Sequence, residues 1–109
     1  IGCHDTQSVD YPRIAQAVAQ PVNAGHAPYG LLVCGSGVGV MIGANRYPRV
    51  RAVLVDNVTI ARLSREHNDA NVLCLGARLT AAHLAEEIIA TFLSTPVHGE
   101  RHQHLVSML

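Results

Sequence analysis

Excess charge is the first thing this sequence lacks. Eight basic side chains balance eight acidic ones, the formal net charge is zero and the pI is near 7.2. Binding to a nucleic-acid backbone draws on clustered positive charge, so no nucleic-acid partner is expected. Long apolar runs are missing too. The hydrophobic residues, 49% of the chain, come in short bursts broken by Arg, Asp, Asn or Gly, well below the roughly 18 continuous apolar residues of a membrane span, and no membrane partner is expected. Cysteine is scarce: Cys3, Cys34 and Cys74 form no CxxC pair and are too few for a disulfide framework or an all-cysteine zinc cage. That points to a reducing, cytoplasmic compartment. No charged leader with an apolar core opens the chain, and position 1 is Ile rather than Met, so no secretory signal is visible and the start is expected to be missing.

What is present suits one domain over residues 1–109. From Tyr11 to Asn23 the apolar positions Ile14, Ala15, Val18 and Ala19 recur at helical spacing, with Pro12 in the first turn and Pro21 and Gly25 ending it. Tyr29 to Cys34 is a short apolar strand closed by glycines, and Gly37 to Asn45 a small-residue helix. The alternation repeats. Arg51–Val55 reads as a strand, Val58–Asn68 as a helix with Ile60, Leu63 and Ser64 inward, and Asn71–Leu75 as a third strand. A last helix is capped by Thr80 and carries the stripe Leu84, Ile88, Ile89, Phe92 and Leu93, ending at Ser94-Thr-Pro96. Apolar strands alternating with helices predict an α/β fold: a doubly wound parallel sheet flanked by helices, a Rossmann-like three-layer arrangement. Three strands are few, and Ile1-Gly2 resembles the stump of an earlier strand, so an N-terminal β-α unit is expected to be absent, leaving a sheet edge or face exposed.

Cys34-Gly-Ser-Gly-Val-Gly39 is the segment richest in chemistry. It leaves the carboxyl end of a strand and opens a helix, where open α/β sheets hold ligands. Glycines let backbone N–H groups converge on an oxygen, and the helix N-terminus favours a phosphate, an enediolate or a thiolate at Cys34. The dinucleotide fingerprint fails, since Val40 stands where its third glycine belongs, and the P-loop Lys is missing. A glycine turn beside an inert cysteine is the bland alternative. His67, in Arg65-Glu-His-Asn-Asp69, reads as a general acid/base or as a helix-end cap, and the polar cluster His67, Asn68, Asp69, Asn71 favours a site. Glu100-Arg-His-Gln-His104, with His98 upstream, is either an anion grip or a solvated tail. Zinc through His98, His102 and His104 lacks the HExxH order, so no metal is expected. Arg78 is a further anion candidate or a surface charge.

Asp10-Tyr-Pro12, Cys34–Gly39, Ala44-Asn45, Ser64–Leu73, Gly76-Ala-Arg78 and Gly99-Glu-Arg-His-Gln103 together resemble, essentially end to end, a type B ribose-5-phosphate isomerase, of the superfamily that includes galactose-6-phosphate isomerase subunits. The resemblance implies a cofactor-free, metal-free aldose–ketose isomerase of phosphosugars that is a homodimer with active sites shared between chains. It implies Cys34 as the base that moves a proton between C1 and C2 through an enediolate, and Ser36, where Thr is usual, as the assisting hydroxyl. Gly35, Gly37, Val38 and Gly39 would form the backbone anion hole. His67 would open the furanose ring, Asn68, Arg78 and Arg101 would contact substrate, and Tyr11 would line the pocket. Some relatives carry a Glu base where Val40 stands here. Two features depart from the family. The Asp-His pair of its first strand is not His4-Asp5, which is reversed and too close to Tyr11, and its second phosphate-gripping Arg is Leu105, with His102 or His104 as possible replacements. The competing readings are an isomerase of a 6-phosphate hexose, a catalytically impaired binding subunit and, lastly, a thiol hydrolase or phosphatase lacking the CxxxxxR loop.

Overall fold

The computed structural model describes residues 10–109; Ile1-Gly2, Cys3 and His4-Asp5 lie outside the described residues. In chain order the elements are α1 (Tyr11–Asn23), β1 (Gly30–Cys34), α2 (Val38–Ala44), β2 (Ala52–Leu54), α3 (Val58–Glu66), β3 (Val72–Gly76), α4 (Ala82–Ser94) and α5 (Glu100–Ser107). The strands form one parallel sheet in the order β1-β3-β2. Cys34 stands opposite Gly76, and Leu54 opposite Cys74.

The central strand explains the layers. Every residue of β3 is buried, and because side chains alternate across a strand, its residues feed two separate cores. Val72 and Cys74 join Ala15, Ala19 and Val22 of α1, Leu32 of β1 and Val40 and Ala44 of α2. Leu73 and Leu75 join Ala61 of α3 and Ile88 and Phe92 of α4. Helices therefore lie on both faces, the three-layer α/β arrangement expected from apolar strands separated by helices. On β1 only the α1 side is closed: Leu32 is buried, whereas Leu31 and Val33 are 44% and 52% exposed. Among the described residues no helix is long and apolar enough to cross a membrane.

Three local expectations are corrected, and the tail, for which no element is predicted, gains one. Pro21 does not end α1; it sits inside the last turns, and the turn that follows uses Gly25 at φ +78°. The buried face of α3 is Ala61, Ser64 and Arg65, with Ile60 41% exposed. Helix phase here follows Arg65, whose guanidinium donates to the carbonyls of Ala70 (2.7 Å) and Thr95 (3.0 Å), the Asp69 carboxylate (2.6 Å) and the Tyr29 hydroxyl (3.1 Å). Such a charge is tolerated inside because its donors are satisfied. Thr80 caps nothing: the N-cap of α4 is Ala81, and the buried Thr80 Oγ1 has no hydrogen-bond partner among the described residues. The polar tail after His98 is a helix, α5, which buries no residue.

Candidate active site

The carboxyl ends of β1 and β3 carry the first group of candidate residues. After Cys34 the chain turns through Gly35 and Ser36 to Gly37, which adopts φ +82°, a left-handed conformation suited to glycine. A Cβ there would lie 2.5 Å from Leu54 Cδ1 and 3.1 Å from the Leu75 carbonyl oxygen. The Ser36 hydroxyl accepts the Val38 N–H (3.3 Å), which orients it at the start of α2. The turn after β3 is bound to the first one: Ala77 N–H donates to the Cys34 carbonyl (2.7 Å) and Arg78 N–H to that of Gly35 (3.0 Å). These bonds lay the Arg78 side chain over Gly35, with Nε 3.3 Å from where a Cβ would stand. Tyr11, at the first turn of α1, lays its ring against Gly39, within 3 Å of that glycine's would-be Cβ. Close approach of an aromatic ring is what a missing side chain permits.

Cys34 is half-buried in this cluster. Tyr11, Cys34, Gly35, Ser36, Gly37, Val38, Gly39 and Arg78 thus belong to one end of the sheet, as the site expectation requires. An apolar groove nearby, about 320 Å³ between Val33, Leu75, Ala82, Ala85 and Ile89, offers only Thr80 as a polar side chain and no acid or base. Cys74 faces the α1 core, where burial pushes its thiol up to about 12; it is a core residue.

The second group lies elsewhere. His67 is the C-cap of α3 and donates its N–H to the Leu63 carbonyl (2.9 Å). It precedes β3, so it belongs to the amino end of the sheet, whereas Cys34 is the last residue of β1, at the carboxyl end. Five strand residues at about 3.3 Å each separate those ends by ~13 Å or more. The chain returns to the His67 end at α5 and just ahead of it: His98 N–H donates to the Glu66 carbonyl (2.9 Å), and the His102 ring stacks on that of His67, centroids 4.2 Å apart and planes 17° off parallel. Arg101 and Asn68, both exposed, accompany them. Within one chain the structure brings His67 and His102 together, with Asn68 and Arg101 as their neighbours along the chain, at the end of the sheet opposite Cys34.

The polar cluster after α3 is partly structural. Asp69, at φ +48°, bridges Arg65 (2.6 Å) and Arg51 (3.2 Å). Asn71 accepts the Arg51 N–H and donates to the Arg49 carbonyl. Those bonds leave His67 and Asn68 as the members with side chains available to a ligand. From sequence, His102 is one candidate replacement cation for the Arg lost at Leu105. Partial desolvation, then the neighbouring His67, Arg101 and His98, hold its pKa below the ordinary 6.5, against a small opposing pull from Glu66. Among the described residues no group of three or more His, Cys, Asp or Glu side chains is placed to hold a metal ion.

Comparison with known proteins agrees with this anatomy. The family model described as Ribose/Galactose Isomerase matches residues 1–109. The chain is similar to ribose-5-phosphate isomerase B of Escherichia coli K12, with 40% identity over 108 residues that cover 99% of this chain and 72% of that enzyme. It is also similar to the galactose-6-phosphate isomerase subunit LacB of Clostridium acetobutylicum, 40% identical over 92 residues, 84% of this chain and 53% of that subunit. Among solved structures, type B ribose 5-phosphate isomerase of Trypanosoma brucei superposes with a TM-score of 0.94 at 48% identity, covering 99% of this chain and 73% of that one. The chain belongs to the Ribose/Galactose Isomerase family.

Proposed function

We propose that this protein interconverts ribose 5-phosphate and ribulose 5-phosphate through an enediolate, with Cys34 as the base. The observation that carries the reading is the loop anatomy: a half-buried thiol at the end of β1, a glycine turn that leads from it into α2, and Arg78 held over that turn. Isomerisation needs one base able to reach two adjacent carbons, donors around an oxygen that becomes negative, and a grip on the phosphate. The Cys34 thiolate takes the proton from C2 of the open aldose. Electrons shift from the C2–H bond into a C1–C2 double bond while the C1 oxygen takes up charge beside Gly35–Gly39 and Ser36. Return of that proton from the Cys34 thiol to C1, with transfer of the C2 hydroxyl proton to the C1 oxygen, gives the ketose and regenerates the thiolate, with no redox partner needed.

The separation of His67, Asn68 and Arg101 from Cys34 supports a homodimer in which each active site draws Cys34 and Arg78 from one copy and the other three residues from its partner. In that arrangement His67 opens the furanose ring and Arg101 holds the phosphate. Likeness to LacB favours one second reading, an isomerase of a 6-phosphate hexose, so both sugars belong in the assay. The test of the base is loss of solvent exchange at the substrate C2 proton in a Cys34→Ala variant whose circular dichroism is unchanged. Near-normal exchange in that folded variant contradicts the assignment, and turnover of galactose 6-phosphate in preference to ribose 5-phosphate replaces the pentose reading with the hexose one.

A further inference from the structure

His67 is held in an unusual way for an acid/base residue. It terminates α3, only its backbone N–H is tied into that helix, and among the described residues no hydrogen bond reaches its imidazole. A ring free to rotate about two torsions delivers a proton poorly, since misplacement by an ångström can cost about 10²-fold in rate. The one group laid flat against it is the His102 ring, 4.2 Å away and nearly parallel. His102 sits on α5 beside Arg101, and α5 buries no residue of its own. The stack therefore ties α5 to the end of α3, alongside the His98–Glu66 backbone bond of the segment just ahead of α5.

We propose that His102 is a positioning residue: its ring fixes the plane of His67 and, through the same contact, sets α5 and Arg101 against the His67 end of the site. The inference rests on the reading of His67 as the ring-opening residue. It assigns His102 a packing duty and not a ligand contact. Charging both rings would place two cations about 4 Å apart, an unfavourable approach even at a partly solvated surface. The groups facing His102 are His67 and Glu66 from α3, and Arg101 and His98 from its own segment. Three of these four oppose its protonation, and Glu66 favours it. A neutral His102 therefore keeps the stack, and acid that protonates it loosens both His67 and α5.

The experiment compares His102→Ala with His102→Phe, which keeps a flat ring and cannot titrate. For each, ribose 5-phosphate turnover is measured across pH, and the His67 Cε1–H signal is followed by NMR, where a stacked ring leaves a ring-current shift. Expected for His102→Ala is a fall in kcat of roughly 10-fold or more with loss of that shift. His102→Phe is expected to restore most of both and to keep its turnover into more acidic solution than the wild type. Unchanged kcat in His102→Ala overturns the inference. So does a His102→Phe protein with the shift restored but turnover still lost, because His102 then acts through its own nitrogen atoms. A wild-type protein that isomerises neither pentose nor hexose phosphate overturns the functional reading itself, which an active wild type with an indifferent His102→Ala variant does not.

Discussion

Single residues divide here into those whose chemistry is visible in sequence and those whose neighbours decide their role. The turn after Cys34 was legible because glycines that close an apolar strand announce a tight turn, whereas the packing of Tyr11 against Gly39 is seen only in the fold. Arg65 was not legible. A charged side chain at a helical position ordinarily points to solvent, and only the fold reveals the carbonyls, carboxylate and Tyr29 hydroxyl that satisfy it. The same limit applies to His102, since the ring it stacks on is 35 positions away in sequence. For His67 the account gives an asymmetric outcome. Ribose 5-phosphate is mostly a closed furanose, whereas ribulose 5-phosphate, with its C5 hydroxyl blocked by phosphate, cannot close a five-membered ring. His67→Asn is expected to lower aldose turnover by roughly 10²-fold or more while proton exchange at C1 of the bound ketose persists. Equal loss in both assays moves His67 into proton transfer or site architecture.

At the scale of elements, β3 was the easiest to read and the end of α3 the hardest. An unbroken apolar run flanked by helices announces a strand buried on both faces, and β3 serves two cores. The helix before it was expected to run to Asn68, but it ends at Glu66. Asp69 adopts a left-handed conformation and its carboxylate ties the nearby Arg65 to Arg51, 18 positions away in sequence. That network predicts a contrast between two arginines three positions apart. Arg65→Ala strips partners from buried and half-buried polar groups and is expected to destabilise by ~2 kcal/mol or more. Arg62→Ala removes an exposed i,i+4 pair with Glu66, worth about 0.5 kcal/mol at most. Urea midpoints of the two variants check this, and similar losses in both contradict the role given to the Asp69 network. The helix of the tail, α5, escaped sequence reading because it presents no apolar stripe to a core; the His102 ring ties it down, alongside one backbone bond of the segment just ahead of it.

The molecule as a whole sets two groups of candidate residues at opposite ends of one parallel sheet. Burial of Cys74 against α1 holds its thiol at about 12, above the ordinary 9.0. The unfolded chain therefore loses that proton first, and stability is retained below about pH 9 and declines as pH rises toward about 12. Wild type is expected to lose more urea resistance between about pH 8 and about pH 10.5 than Cys74→Ala does, and equal slopes contradict a buried neutral thiol. That separation was present in the order of elements: Cys34 ends a strand and His67 precedes one, and parallel strands place such positions at opposite ends of a sheet. Its functional meaning rests on a second copy. The most direct measurement is complementation between Cys34→Ala and His67→Asn, each prepared as a folded protein, mixed under conditions that let subunits exchange, with hybrid formation confirmed by native mass. Random pairing makes about half of the dimers hybrids, each with one intact site of two, so the mixture is expected to recover about a quarter of wild-type aldose turnover. A mixture that contains hybrids and remains as inactive as its two components contradicts a site shared between copies.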